Sequence, residues 1–275
     1  MPEMIHFTSS PKSTPCIVRY ILISPFSREK AIVRESTEED SVSLPEKDHR
    51  VDEREAERML RYAIDRGCNY VDTAWPYHGG QSEEFLGRAL QGEHRRKVKL
   101  ATKLPSWEVK DAADFDRFLV AQLKRLRTDA LDFYLLHSLG KDSWKKLKGL
   151  GILDRAEKAR RAGKFRWLGF SFHDDLAAFK TIIDAYDWDI CQIQYNFMDV
   201  ENQAGAPGLQ YAAAKNIAVV IMEPLLDGRL SFPPPAVQAV WDSSPRKRSP
   251  VGWALDWLWD QPEVACVLSG MSTLN

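Results

Sequence analysis

The 275-residue sequence predicts an α/β fold, a (β/α)8 TIM barrel whose completeness is left open only at the first strand and the last helix. Three observations carry that expectation. From residue 53 onward, helical and strand-like patterns alternate every few tens of residues, the signature of βα units building a parallel sheet. Seven strand-like runs follow residue 53, each after a helix, and the regular closed sheet of about that size is an eight-stranded barrel. The length is also near the about 250 residues that such a barrel takes as one domain.

Glu53 to Arg66 places Ala56, Met59, Leu60 and Ala63 on one helical face, and Gly67 ends that helix. Asn69 to Thr73 is the following strand. Ser82 is the expected N-cap of a helix reaching Leu90, with Glu83 and Glu84 suited to the positive end of its dipole. Val98 to Lys103 is the next strand. Asp114 to Leu126 carries Phe115, Phe118, Leu119, Leu123 and Leu126 at helical spacing, and Leu131 to His137 is a mostly apolar run suited to burial on both faces. A single helix from Ser143 to Ala162, closed by Gly163, leads to a strand from Arg166 to Ser171.

Three further helix–strand pairs follow: Leu176 to Tyr186 with Ile190 to Gln194, Gly208 to Lys215 with Ala218 to Glu223, and Pro250 to Trp259 with Val264 to Ser269. Ser231 to Pro245 is expected to be a surface loop near the barrel mouth, because the prolines at 233 to 235 cannot sit inside a helix. Residues 53–275 form the expected barrel domain and residues 1–52 an atypical N-terminal segment. There, Thr8 to Pro15 is rich in Ser, Thr and Pro, and Glu35 to Asp52 is dominated by charge, which leaves Cys16 to Ser24 as the β-like run that could supply the missing strand.

Hydrophobic residues make up 44 % of the chain and charged residues 28 %, the balance of an ordinary globular protein. A net charge of -1 gives no field that would gather nucleic acid or anionic lipid, so a small molecule is the expected partner. Cys16, Cys68, Cys191 and Cys266 are widely separated, which suggests neither a metal site nor a disulfide framework. With no run near the about 20 apolar residues of a membrane span, and no leader pattern at the start, a cytoplasmic location is expected. Oligomeric state is not legible.

The richest stretch is Tyr70-Val-Asp-Thr-Ala-Trp-Pro-Tyr-His-Gly-Gly-Gln-Ser-Glu-Glu-Phe-Leu-Gly-Arg-Ala-Leu90. It puts Asp72 at a strand end and Tyr77 in the loop beyond, while Lys103 and His137 fall at the ends of the next two strands. Carboxyl ends of successive parallel strands open into one mouth, so these four groups would converge. Singly, each has a plainer use: an Asp as a helix cap, a Lys in solvent, a Tyr in packing. Together they suit acid–base chemistry at one mouth, with a phenol as the proton donor. A tyrosine with a pKa of about 10 is a poor acid until a neighbouring ammonium favours its phenolate. Lys103 supplies that ammonium, Asp72 keeps it charged, and His137 fixes the direction of the substrate oxygen.

The same stretch, with Ala-Thr-Lys103-Leu-Pro and Tyr-Leu-Leu-His137-Ser, resembles the aldo-keto reductase family over about residues 53–273, in its branch with the Trp-Pro-Tyr-His-Gly-Gly variant. The resemblance implies an NAD(P)H-dependent oxidoreductase acting on an aldehyde, ketone or quinone carbonyl, with NADP(H) favoured over NAD(H). It implies Tyr77, Asp72, Lys103 and His137 as catalytic residues. His78, beside Tyr77, is expected to shape the substrate pocket rather than act as an acid, and Trp75, Trp107 and Phe197 suggest an apolar or aromatic lining. Ser171 and Gln192 match positions that hold the nicotinamide carboxamide. Glu223, Pro224, Leu225 and Gly228 match a loop on the pyrophosphate and ribose side, as do Ser269, Gly270 and Ser272. The chain departs from the family at Phe172, where Asn is usual, and at Met222, where an aromatic ring usually stacks on the nicotinamide. The family's Gly-rich first strand, its final helix and the iron–sulfur cysteines of some relatives have no counterpart here. A non-catalytic nicotinamide-binding regulatory or accessory protein, or an inactive truncated paralogue, would carry many of the same residues. Another phosphate-binding barrel enzyme, an isomerase or aldolase, would not call for this Asp, Tyr, Lys, His order.

Overall fold

The computed structural model describes residues 44–47 and 50–270. It opens with an antiparallel hairpin, β1 (Glu46–Lys47) and β2 (Arg50–Val51). Asp52 caps α1 (Glu53–Asp65), its carboxylate accepting from the Glu55 N–H at 3.2 Å, and β3 (Tyr70–Asp72) follows. Then come α2 (Ser82–Ala89), α3 (Glu93–Lys97), β4 (Lys99–Leu104), α4 (Ala113–Arg125) and β5 (Leu131–Leu139). The chain continues through α5 (Lys141–Gly149), α6 (Ile152–Arg161), β6 (Phe165–Phe172), α7 (Leu176–Asp184) and β7 (Ile190–Gln194). It closes with α8 (Gly205–Ala214), β8 (Ala218–Met222), a 3-10 turn at Arg229–Ser231, α9 (Pro235–Ser243), α10 (Pro250–Trp259) and β9 (Val264–Val267).

Strands β3 to β9 form one sheet in chain order, every neighbouring pair parallel. Each strand sends alternate side chains to opposite faces. On one face Tyr70, Ala101, Phe133, Leu135, Trp167, Ile190, Val220, Met222 and Cys266 meet in a single cluster, drawn from all seven strands, so the sheet curls until that face packs on itself. The other face packs under the helices, with Phe115 and Phe118 of α4, Ile152 of α6 and Phe179 of α7 buried against it. This is the (β/α)8 architecture with seven of its strands. The run Cys16 to Ser24, expected to complete the barrel, lies outside the described residues.

Three local expectations are corrected. The single helix from Ser143 to Ala162 is two, α5 and α6, because Gly151 turns left-handed at φ 68° and breaks the ladder between them. The loop expected over Ser231 to Pro245 contains α9, which starts at the last of the three prolines. Its fixed φ and absent N–H suit the first helical position, so the prolines introduce the helix. Ser82 does not cap α2. Gln81 occupies that position without a side-chain bond, and the Ser82 hydroxyl lies 2.8 Å from the Thr73 hydroxyl, tying the helix to the strand end that carries Asp72. The short α3 and the hairpin of β1 and β2 were not foreseen, since neither has a hydrophobic period to announce it.

Gly87 lets α2 lie directly on the end of α4, since a Cβ there would stand 2.1 Å from the Arg125 carbonyl oxygen. Gly87→Ala is expected to lower stability by about 1–3 kcal/mol, the cost of overpacking a close contact. Thermal denaturation followed by circular dichroism would show it, and an unchanged midpoint would mean that the two helices can part without penalty.

Candidate active site

Asp72 ends β3, and the loop after it turns back through Tyr77 before α2 begins. Lys103 lies near the end of β4, next to β3 in the sheet, and His137 near the end of β5, next to β4. Parallel pairing of these three strands delivers the side chains to one end of the barrel. The Lys103 ammonium is fully buried and forms an ion pair with Asp72 Oδ2; it also donates to the Thr73 carbonyl at 3.1 Å and to the Tyr77 hydroxyl at 3.0 Å. The Tyr77 and His137 rings meet edge to face with centroids 5.8 Å apart. All four groups expected from the sequence therefore come together.

Burial alone would lower the Lys103 pKa; the Asp72 carboxylate and the Tyr77 oxygen outweigh it, and the net shift is upward. His137 is held well below the usual histidine range, first by burial and then by the Lys103 charge, so its imidazole is neutral at pH 7. Its Nδ1 is buried without a hydrogen-bond partner among the described residues. Trp107, about half exposed at 49 %, leans over it with ring centroids 5.1 Å apart.

Behind Asp72 the sheet supplies two residues of different legibility. Gln192 of β7 donates from Nε2 to Asp72 Oδ1 at 2.6 Å and to the Tyr70 hydroxyl at 3.4 Å, and Tyr70 donates to Asp72 Oδ1 at 3.4 Å. Tyr70 was missed by sequence reasoning, although residues two apart on a strand share a face and Tyr70 precedes Asp72 by two. The Gln192 carbonyl oxygen is buried with no partner among the described residues, a state that costs about 1–3 kcal/mol in a folded protein. Ser171 stands opposite Gln192 in register, accepts the Ser138 N–H at 2.8 Å, and keeps its own O–H hydrogen for another acceptor. A hydroxyl donor beside an unsatisfied carbonyl acceptor is the complement of a primary carboxamide.

Other expected residues fall differently. Trp75 does not line the mouth: the Arg125 guanidinium lies 3.6 Å from its ring centroid and Phe118 packs on its edge at 4.9 Å, so it faces α4. His78 accepts the Leu44 N–H at 3.1 Å and so anchors the incoming chain. Phe172 is buried under α7 against Phe179, their centroids 5.0 Å apart, whereas Met222 belongs to the cluster inside the curled sheet. Phe197 contacts the rings of Trp241 and Trp257, each at 6.4 Å.

After β8, Glu223, Leu226, Asp227 and Gly228 all have positive φ. The Glu223 carboxylate accepts the Asp227 N–H at 3.0 Å, Leu226 N–H donates to Glu223 O at 3.2 Å and Arg229 N–H to Leu226 O at 3.0 Å, so these amides are engaged within the loop. Burial, reinforced by Asp227, pushes the Glu223 carboxyl up to about 7. Pro224 and Leu225 continue this loop. Ser269 and Gly270 lie half-buried just past β9, and Ser272 is outside the described residues.

The neutral His137 has a consequence for stability. Below a pH of about 6.5 the unfolded chain takes up a proton that folded His137 does not, so stability falls as pH drops through that value toward the lower folded pKa. His173, lowered by burial and again by Lys103, acts in the same direction. In urea denaturation at pH 7 and at pH 5, His137→Gln is expected to lose less stability between the two than the unaltered chain. An equal or larger loss would show that His137 is not held neutral.

Among the described residues no helix is long and apolar enough to cross a membrane, and no group of three or more His, Cys, Asp and Glu side chains is placed to hold a metal. Residues 41–275 match the model of the Aldo/keto reductase family. The aldo-keto reductase yakc [NADP(+)] of Schizosaccharomyces pombe is 28% identical over 185 residues, covering 63% of this chain and 53% of that protein, so the chain spans little more than half of that relative's length. The holo form of aldo-keto reductase AKR11C1 from Bacillus halodurans shares the fold with a TM-score of 0.70 and 23% identity, over 89% of this chain and 88% of that one. An aldo/keto reductase from Klebsiella pneumoniae, solved with NADP and acetate, gives a TM-score of 0.66 at 26% identity, over 80% of this chain and 76% of its own. Strand order, the four groups at the barrel mouth and the match over residues 41–275 agree: the chain belongs to the aldo/keto reductase family.

Proposed function

We propose that this chain is an NAD(P)H-dependent oxidoreductase that reduces the carbonyl of an aldehyde, ketone or quinone, with Tyr77 as general acid. The observation that carries the reading is the Tyr77 hydroxyl 3.0 Å from a fully buried lysine ammonium that is itself paired with Asp72. A nicotinamide cofactor, when bound, supplies the hydride. The remaining work falls to side chains. The substrate oxygen lies between Tyr77 and the neutral His137, which donates an N–H and fixes its direction. As negative charge grows on that oxygen, Tyr77 gives up its proton to it, and the Lys103 ammonium stabilises the phenolate left behind. Asp72 keeps Lys103 charged despite burial. Trp107 offers an exposed apolar wall beside His137.

The cofactor assignment rests on the Ser171 hydroxyl and the unsatisfied Gln192 carbonyl, which suit the nicotinamide carboxamide. Glu223, Pro224, Leu225, Gly228, Ser269, Gly270 and Ser272 are assigned to the phosphate and ribose side, after the last two strands, where barrels tend to bind phosphate. NADP(H) is favoured over NAD(H), in keeping with the NADP of the Schizosaccharomyces and Klebsiella relatives. A reducing compartment, the cytoplasm, suits free Cys68, Cys191 and Cys266.

Tyr77→Phe is expected to hold its NADPH dissociation constant within about twofold while turnover on aldehydes and quinones drops at least about a hundredfold, the scale of a lost general acid. Fluorescence titration and steady-state NADPH oxidation measure the two quantities. If the unaltered chain binds NADPH but turns over none of the panel, the non-catalytic reading replaces this one.

A further inference from the structure

We propose that Asp72 has a second task besides holding Lys103: with Tyr70 as a positioning residue, it fixes the Gln192 amide so that its carbonyl is presented to the carboxamide nitrogen of a nicotinamide ring. The inference rests on the proposed nicotinamide site and adds how that site reads its ligand. A glutamine amide has two ends of nearly equal shape, and its partners alone decide which end points where. An ionised carboxylate only accepts, so the end facing Asp72 Oδ1 at 2.6 Å must be the NH2. The hydroxyl of Tyr70 takes the second hydrogen at 3.4 Å and returns its own to the same Asp72 oxygen at 3.4 Å, closing a ring of three residues.

Tyr70 is suited to that place. Burial, and after it the Asp72 charge, push its phenol well above the usual range, so it remains a donor, and its ring is held against Phe133 with centroids 5.3 Å apart. A flipped Gln192 would set its carbonyl oxygen against the carboxylate, losing the Asp72 bond and drawing the Tyr70 hydrogen away from Asp72. With the NH2 committed, Gln192 Oε1 is left as a buried acceptor, and the N–H of a carboxamide is a donor that would satisfy it. Asp72 has two oxygens and divides them: Oδ2 serves the ammonium beside Tyr77, and Oδ1 sets the polarity of cofactor recognition.

The test compares oxidised NADP with its 3-acetylpyridine analogue, in which a methyl group replaces the carboxamide NH2, by fluorescence titration of the purified chain. The unaltered protein is expected to prefer the nicotinamide form by about tenfold or more, the scale of one buried acceptor left unpaired. Tyr70→Phe is expected to narrow that preference at least about threefold. Asp72→Asn, whose own amide lets Gln192 point either way, is expected to bring it close to unity. Thermal melting checks that each variant folds, and should Tyr70→Phe fail to fold, Asp72→Asn carries the comparison alone. Variants that keep the full preference overturn the inference, as does an unaltered chain that binds both forms equally. An unaltered chain that binds neither defeats the nicotinamide reading itself and the inference with it.

Discussion

Everything at the barrel mouth depends on keeping one lysine charged where water does not reach. Lys103 and Asp72 expose 1% and 2% of their side chains, and removing two ions from water costs several kcal/mol each, offset only by good geometry and full hydrogen bonding. The ammonium has three hydrogens and finds three acceptors: Asp72 Oδ2, the Thr73 carbonyl and the Tyr77 hydroxyl. Two of these come from the strand end and one from the loop, so the charge is satisfied only when that loop is in place. The contact that the chemistry needs is thus also one that the buried charge needs, and Tyr77 is held by electrostatics that a surface tyrosine would never meet.

A second buried charge lies one layer out, on the helix side of the same strand. Glu83 of α2 is fully buried and accepts from the Thr102 hydroxyl at 2.6 Å, the Gln122 amide at 2.6 Å and Arg125 at 3.2 Å. Burial still leaves its carboxyl raised above the usual range, with those donors pulling it back. Gln122 also donates to the Lys103 carbonyl at 2.9 Å and accepts from the Tyr134 hydroxyl at 2.8 Å, so α4 and β5 both grip the backbone that presents Lys103. Arg125 reaches from Glu83 across the face of Trp75, in the loop that carries Tyr77. One carboxylate therefore steadies both the proposed proton donor and its lysine from behind, without touching either directly.

Much of this was legible in the sequence because a parallel barrel turns order along the chain into neighbourhood at one end. Asp72, Lys103 and His137 sit at successive strand ends, and that alone predicts their meeting. What escaped is what depends on side-chain chemistry at long separation. Gln192 lies 120 residues from Asp72, and nothing in either local sequence announces that they share a bond. Glu83 looked like a favourable first-turn acid in α2 and is in fact a fully buried hub, because the helix dipole and a burial site make the same residue attractive. The split of α5 from α6 and the start of α9 were misjudged for the opposite reason. There a single backbone preference, left-handed at Gly151 and pre-set at Pro235, outweighed the pattern of the surrounding residues.

Strand alternation also explains how the chain can depart from its family without disturbing the mouth. Along β4, Thr102 turns to α2 and α4 while Lys103 turns inward; along β6, Phe170 and Phe172 turn to Phe179 of α7 while Ser171 turns away from them to the Ser138 amide. Phe172, standing where the family favours Asn, is thereby a core residue, and the polar duty of that position cannot be discharged from it. The carboxamide-like complement is left to Ser171 and Gln192, two residues in register on neighbouring strands. With only two groups to define it, the orientation of Gln192 matters more than in a site with a third amide to share the task. The carboxylate that governs that orientation is the same one that holds the lysine, which makes Asp72 the residue through which the proposed proton-donating half and the proposed cofactor-reading half of the site are joined.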